Sequence, residues 1–383
     1  MKKLKVMSIF GTRPEAIKMA PLVKELENTE GIESILCVTA QHREMLDMVL
    51  NLFELAPDYD LDIMEHGQSI SDINVKVLKG MEGVLKEAKP DVVLVHGDTS
   101  TTFVGALAAF YQKIPVGHVE AGLRSGNIYS PYPEEMNRKL TTNLAEIHFA
   151  PTKGNYDNLI KENIDSGKIF ITGNTVIDAL LQVVKEEYVF DNPILNEIDY
   201  ENKKVIVMTC HRRENWGEPM ENIFKAVAEV KEKHDDVEIV FPVHMNPNIR
   251  KLAQNILGNI EGVHLIEPLD YEPFANLLNK AYFILTDSGG IQEEAPALGK
   301  PILVLRDETE RPEAVKAGTV KILGVEKDVI IKEVEELLTN HKAYGKMSNA
   351  VNPYGDGKAC KRIVDALRYH FKLIDKKPEI FTI

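Results

Sequence analysis

The stretch YFILTDSGGIQEEAP, residues 282–296, reads as a short buried strand that breaks at Asp287-Ser288-Gly289-Gly290 and turns into a helix. Glycines let a ligand come close to the backbone. The unpaired N–H groups of a first helical turn point outward and favour an anion. Glu293 and Glu294 follow where they can meet hydroxyl groups rather than a phosphate. Backbone for a diphosphate and a carboxylate for a ribose together imply a nucleotide. Upstream, KVIVMT (204–209) is a similar short apolar run that leads into His211-Arg212-Arg213-Glu214-Asn215.

Working outward, short apolar runs alternate with amphipathic stretches along the whole chain. Strands are expected at Leu4–Phe10, Ser34–Thr39, Val92–His96, Val116–Val119 and Ile147–Phe149. In the second half they are expected at Val205–Thr209, Glu238–Pro242, Val263–Ile266, Phe283–Thr286 and Ile302–Leu305. Helical segments such as Pro14–Asn28, Thr101–Tyr111, Pro133–Leu144, Met220–Lys233 and Pro273–Asn279 lie between them. Strand–helix alternation with nearly continuous apolar strands (VVLV, ILVL) implies parallel sheets covered on both faces. The fold class is α/β, with two doubly wound, Rossmann-like halves and a ligand at the carboxyl ends of both sheets, in the cleft between the domains. The polar run KEEYVFDNPILNEIDYENKK (185–204) reads as a surface connection near the boundary.

Composition narrows the function classes. At 383 residues, two domains are the default. The formal charge of 45 − 59 = −14 argues against nonspecific nucleic-acid binding. Cys37, Cys210 and Cys360 form no CxxC pair, so no metal site is expected and a reduced, cytoplasmic compartment fits. The basic-apolar start MKKLKVMSIF is a first strand, because Arg13, Glu15 and Lys18 interrupt it too soon for a signal peptide. No apolar run is long enough to span a bilayer.

Three further turns follow apolar strands. GTRPEAIK (11–18) supplies a tight turn, Pro14 at a first helical position, and the cations Arg13 and Lys18. It can be a capped helix start with a solvated Arg, or it can face an anion. HGDT (96–99) and HVEAGLRS (118–125) bring Asp98 and Glu120 to the same sheet edge. Taken alone, Asp98 reads better as a helix cap, whereas the small Ala121-Gly122 leaves Glu120 uncovered. In SPYPEE (130–135), Glu134 and Glu135 sit in a first helical turn, where one acid can answer the helix dipole and the other face the cleft. Carboxylates gathered at one place repel, and burial raises their pKa further, so they suit acid–base work near neutral pH. HRREN adds a histidine beside cations. No Ser–His–Asp order or metal-ligand spacing competes.

Ten motifs occur in order between residues 11 and 357: GTRPEAIKMAPL, VTAQHREML, HGDT, HVEAGLRS, YSPYPEE, HRREN, PVHMNPN, TDSGGIQEEAP, ERPEAV and NPYGDG. Together they closely resemble the non-hydrolysing UDP-N-acetylglucosamine 2-epimerase family over essentially the full length. The resemblance implies a glycosyltransferase-B-like fold whose last helix returns to the first domain: residues 1–173 plus 359–383, and a UDP-binding domain at 174–358. It implies interconversion of UDP-N-acetylglucosamine and UDP-N-acetylmannosamine with no cofactor, through loss of UDP to 2-acetamidoglucal and its re-addition, in a homodimer that supplies surface polysaccharide.

By the same resemblance Asp98, Glu120 and Glu134 are acid–base residues and His211 assists the departing UDP. Arg13 and Lys18 face the substrate, Ser288, Gly289 and Gly290 hold the diphosphate, Glu294 holds the ribose and Arg311 adds charge. Phe274 and the backbone at Leu269 frame the uracil. Gln41, His42, Gln68, Arg212 and His244 match positions at which many bacterial members bind a second UDP-N-acetylglucosamine as activator. Here Glu44 stands where Gln is common and Gly67 where Arg is common, a change that weakens an anionic effector. Three rivals are a glycosyltransferase, which has no use for carboxylates at C2, a hydrolysing epimerase that releases free N-acetylmannosamine, and a silent nucleotide-sugar sensor.

Overall fold

The structure, a computed structural model, describes residues 3–41 and 43–382. The chain divides into two compact units, Met1–Gln182 with Tyr354–Thr382, and Val183–Pro353.

Among the described residues the first unit holds a seven-stranded sheet. In chain order its strands are β1 (Leu4–Phe10), β2 (Ile32–Val38), β3 (Tyr59–Asp60), β4 (Val92–His96), β5 (Val116–Val119), β6 (Ile147–Ala150) and β7 (Ile169–Ile171). Their spatial order is β3-β2-β1-β4-β5-β6-β7, and every pairing is parallel. Helices cover both faces, which is why β4 is apolar from Val92 to Val95 and Val92, Val93 and Leu94 have no exposure. Each such side chain contributes about 1.5–3 kcal/mol by leaving water. Two of these strands, Tyr59–Asp60 and Ile169–Ile171, are additions to the sequence reading. Both lie toward the sheet's edges and are too short to show a period.

The C-terminal segment belongs to this unit. Tyr354 O accepts from Asn174 N at 2.6 Å, and the Asp178 carboxylate caps helix Ala359–His370 through Ala359 N (3.1 Å) and Cys360 N (2.9 Å). Further on, Phe381 is buried and its N–H donates to Ile171 O at 2.8 Å, covering the open edge of β7.

The second unit holds six strands among the described residues: β8 (Lys204–Thr209), β9 (Val237–Pro242), β10 (Val263–Ile266), β11 (Phe283–Thr286), β12 (Ile302–Val304) and β13 (Val320–Ile322). Their order is β10-β9-β8-β11-β12-β13, again all parallel. The expected α/β class with two doubly wound sheets is what the chain adopts. No helix among the described residues is long and apolar enough to cross a membrane.

In each sheet the strand order reverses once, between β1 and β4 in the first and between β8 and β11 in the second. Connections there leave toward opposite faces, so the strand ends open a crevice. The GTRP, HGDT, HRREN and DSGG turns all sit at these two places. Chain order in the doubly wound sheet therefore selects the same residues that the motifs singled out.

Buried histidines on β5 and β6 make acid stability a test of the first sheet. His118 lies opposite His148, and its Nε2 meets Gly97 O at 2.8 Å. Burial lowers the His118 pKa from 6.5 to about 3 and the His148 pKa from 6.5 to about 4. Between those values and 6.5 the unfolded chain binds protons that the folded one refuses, so stability is full above 6.5 and falls as the pH drops toward 3. Replacing His118 by Gln is expected to flatten that decline by about 1.4 kcal/mol per pH unit, read from urea midpoints at stepped pH. An unchanged slope would show that His118 titrates normally in the folded state.

Candidate active site

The first unit places its acids through the register of β4 and β5. His96 pairs with Val119, and Gly97 N donates to Val119 O at 2.9 Å, so Asp98 and Glu120 leave adjacent strands side by side. Glu120 adopts φ +62°, an uncommon conformation for a residue with a side chain, which turns the chain sharply at the strand end. The following Gly122 has φ +92°, and a Cβ there would overlap the backbone carbonyl of Asn155. Gly122→Ala is therefore expected to cost about 1–3 kcal/mol of stability in urea unfolding and to displace the Glu120 turn. Unaltered stability would mean that the corner is not constrained.

The Glu120 side chain is 14% exposed and has three neighbours. Lys18 Nζ, from helix Arg13–Glu27, donates to its Oε2; Asn174 Nδ2 donates to the same oxygen at 3.1 Å; and His96 Nε2 lies 3.5 Å away. Burial alone would raise the Glu120 pKa, but Lys18, then His96, outweigh it and hold the carboxyl well below its ordinary value. The expectation of raised carboxylate pKa values is thus corrected for Glu120. A cation and two polar neighbours surround it rather than another acid.

Asp98 does not cap the next helix. Thr99 does, accepting from Thr102 N at 3.1 Å, while the Asp98 carboxylate pairs with Arg138 at 2.6 Å. Arg138 also reaches Glu135, 3.1 Å away. Glu135 is fully buried and accepts from Ser125 N (3.0 Å) and Gly126 N (3.3 Å), so it fixes the loop before it. Glu134 differs: its Oε2 is buried with no hydrogen-bond partner. One acid of the pair builds the loop, and the other holds an unspent acceptor.

Arg13 begins helix Arg13–Glu27 and is partly exposed. Behind it Glu15, which is 2% exposed, ties the β1 turn to the β4 turn by accepting from Gly11 N (3.2 Å), Thr12 N (2.9 Å) and Thr99 Oγ1 (2.7 Å).

In the second unit Thr209 pairs with Thr286 across β8 and β11, bringing the HRREN and DSGG turns together. Asp287 is wholly buried and takes Nα–H bonds from His211 and Arg212 at 2.8 Å each. The His211 ring is 38% exposed and stacks on His244 with centroids 5.7 Å apart. Burial lowers the His211 pKa against the pull of Asp287, with Arg212 and His244 adding to the decrease.

Neither Gly289 nor Gly290 has positive φ, so the glycines are there for space. A Cβ on Gly290 would meet nothing within 4 Å, and one on Gly289 would lie 3.8 Å from Arg212 and 3.9 Å from Arg311. Two guanidinium groups therefore flank the Ser288-Gly289-Gly290 backbone, an arrangement suited to a diphosphate. Arg311 is ion-paired with Glu293 and held by Thr309, whose Oγ1 accepts from Arg311 N at 3.1 Å. Glu294 accepts from Tyr271 OH at 3.5 Å. Tyr271 and Phe274 share helix Tyr271–Lys280, and the half-buried Leu269 lies in the irregular segment just before it.

Among the residues matched to an activator site, Arg212 and His244 join the His211 cluster. Gln41 meets Thr101 Oγ1 at 3.4 Å and Gln68 meets Lys76 Nζ at 3.4 Å. His42 lies outside the described residues. Arg138, Asn174 and Asp287, the partners of Asp98, Glu120 and His211, are not marked as such in the sequence. Only the Asp287–His211 pair had a usable signal, because the two turns end neighbouring strands of a doubly wound sheet.

A family-wide sequence model described as UDP-N-acetylglucosamine 2-epimerase matches residues 24–368. The chain is similar to the UDP-N-acetylglucosamine 2-epimerase of Bacillus subtilis, with 54% identity over 382 residues, 100% of each chain. It is 56% identical over 374 residues to the enzyme of the same name from Escherichia coli, covering 95% of this chain and 98% of that one. Among solved structures, the UDP-GlcNAc 2-epimerase from Neisseria meningitidis bound to UDP-GlcNAc superimposes with a TM-score of 0.82 at 53% identity, covering 95% of this chain and 99% of that one.

Proposed function

The chain belongs to the UDP-N-acetylglucosamine 2-epimerase family and is an isomerase acting on a nucleotide sugar; we propose that it inverts C2 of UDP-N-acetylglucosamine by eliminating and re-adding UDP. The observation that carries this reading is the division of charge. One unit brings Asp98 and Glu120 side by side at the ends of β4 and β5, with Glu134 on the helix whose Arg138 pairs with Asp98, and the other gathers His211, Arg212, Arg311 and open glycine backbone at its sheet's reversal. Base and leaving-group stabiliser are the two demands of an elimination across C1 and C2.

In the forward step a carboxylate takes the C2 proton. The C2–H pair becomes the C1=C2 double bond of 2-acetamidoglucal, and the C1–O pair departs with the β-phosphate. His211, Arg212 and Arg311 receive the charge on the departing diphosphate. Return of a proton to the opposite face of C2 and attack of the β-phosphate oxygen on C1 give UDP-N-acetylmannosamine. Atoms and electrons balance without an external reactant.

Two faces need two proton carriers, and Glu120 with Asp98 or Glu134 can provide them. Glu120 is ionised but held by Lys18, which weakens it as a base. In this reading Lys18 turns to the substrate's anionic groups instead, and that exchange would strengthen Glu120 when substrate arrives. Glu294 would hold the ribose, and Phe274 with the Leu269 backbone the uracil.

Substrate carrying ¹⁸O in the C1–O–P bridge tests the bond-breaking step. Scrambling of label into the non-bridging β-phosphate oxygens is expected, and retention of all label in the bridge would exclude release of UDP. A homodimer is supported by Val75, Phe110, Tyr111 and Leu140, large exposed side chains on three helices that pack together. Light scattering that gave the mass of one chain would remove it. The product suits cytoplasmic supply of surface polysaccharide; a deletion strain with unchanged surface sugar would contradict that role.

A further inference from the structure

Asp287 ends β11's run into the glycine turn, and its side chain has no exposure. A carboxylate carried into the interior must be matched by donors. Oδ2 collects three: the N–H groups of His211 and Arg212 at 2.8 Å each and Asn215 Nδ2 at 3.1 Å. Oδ1 makes no hydrogen bond of good geometry, yet it lies 3.2 Å from His211 Nδ1. His244 stacks on one face of the imidazole, with 12° between the rings. The ring is thus fixed by its backbone, by one edge and by one face.

We propose that Asp287 is a positioning residue for His211: it keeps one ring proton on Nδ1 and supports a second on Nε2 when an anionic diphosphate arrives. This rests on the reading of His211 as the group that meets the departing UDP. A neutral ring protonated at Nδ1 presents a bare lone pair at Nε2, which a phosphate oxygen repels. A second proton makes the ring a cation between two anions. That proton comes from solvent and returns there when UDP leaves. The groups in this unit whose charge acts on the ring are Asp287, Arg212 and, when protonated, His244. Burial with the last two keeps it neutral in the free protein, so UDP binding draws in a proton.

Asp287→Asn separates the parts. Its single carboxamide oxygen is needed by the three donors, so its NH2 faces His211 Nδ1, which must then accept. The ring proton moves to Nε2, where a neutral ring can donate to phosphate without a second proton. UDP is titrated calorimetrically into the full-length protein in two buffers of different ionisation enthalpy, above the histidine range. Wild type is expected to take up about one proton per UDP. His211→Asn gives the uptake due to the nucleotide itself, and Asp287→Asn should match it with a Kd within about tenfold of wild type. Its kcat should fall by about 10²-fold, with a changed pH profile. Uptake undiminished in Asp287→Asn would overturn the proposal.

Nitrogen NMR of histidine-labelled wild type tests the same point if that variant does not fold. A free-protein His211 protonated at Nε2 alone overturns the proposal, and one protonated at Nδ1 supports it. Failure of wild type to bind UDP would instead refute the proposed function, while the free-protein tautomer would still report on the Asp287 pairing.

Discussion

Glu120→Gln is expected to leave UDP bound and to lower kcat by roughly 10³-fold, with loss of exchange at C2. Gln keeps the shape of the side chain and can still accept from Lys18 and Asn174, so the φ +62° corner should survive. What disappears is the negative oxygen that can take a proton. UDP contacts are assigned to the second unit, so its Kd should change by less than about threefold. The substitution separates proton chemistry from binding more cleanly than Glu120→Ala, which would also empty a buried position. UDP affinity by calorimetry and C2 exchange by NMR check both halves. Normal exchange in the variant would remove Glu120 from the mechanism. Because Lys18 and His96 hold the Glu120 pKa well below its ordinary value, the acid limb of kcat/KM near neutrality should not come from this group.

The second large effect belongs to Arg311. Its ion pair with Glu293 is mostly buried, with 17% and 9% side-chain exposure. Arg311→Met takes that partner from Glu293 and is expected to cost about 3 kcal/mol of stability. It also removes one of the two guanidinium groups beside Gly289, and UDP affinity should fall by about 10²-fold. The double variant Glu293→Gln/Arg311→Met distinguishes these roles. A neutral Gln no longer needs a cation, and the Asn352 contact is made to the backbone carbonyl of Glu293, so most stability should return. UDP affinity should stay low. If the double variant regains affinity, Arg311 only supports the fold and does not contact the diphosphate.

Much of the architecture was legible because doubly wound sheets write themselves in continuous apolar runs followed by polar turns. The ten expected strands were recognised by that contrast, and the reversal of strand order then gathers the chemically unusual turns. The short strands at Tyr59–Asp60, Ile169–Ile171 and Val320–Ile322 carry too few residues to leave such a signal.

Within these turns, the strand ends that carry them were readable and the pairing of their side chains was not. Asp98 looks like a cap in sequence, but Thr99 fills that role and Arg138, 40 residues later, claims the carboxylate. Glu134 and Glu135 are indistinguishable as letters. One residue step, about 100° around the helix axis, makes Glu135 a buried loop anchor and leaves an acceptor oxygen on Glu134 unsatisfied. The Glu120 charge state reversed the expectation because Lys18 lies 102 residues away in sequence. Electrostatics depends on through-space partners, and a motif lists only neighbours along the chain.

The central step is a proton leaving C2 while UDP departs from C1. Incubation of the protein with UDP-N-acetylglucosamine in D2O, followed by proton NMR of the sugar, tests this most directly. The expected result is deuterium at C2 in both UDP-N-acetylglucosamine and UDP-N-acetylmannosamine, each still carrying UDP. Formation of UDP-N-acetylmannosamine with C2 fully protonated from the starting sugar, or accumulation of free N-acetylmannosamine as the sole product, would contradict it.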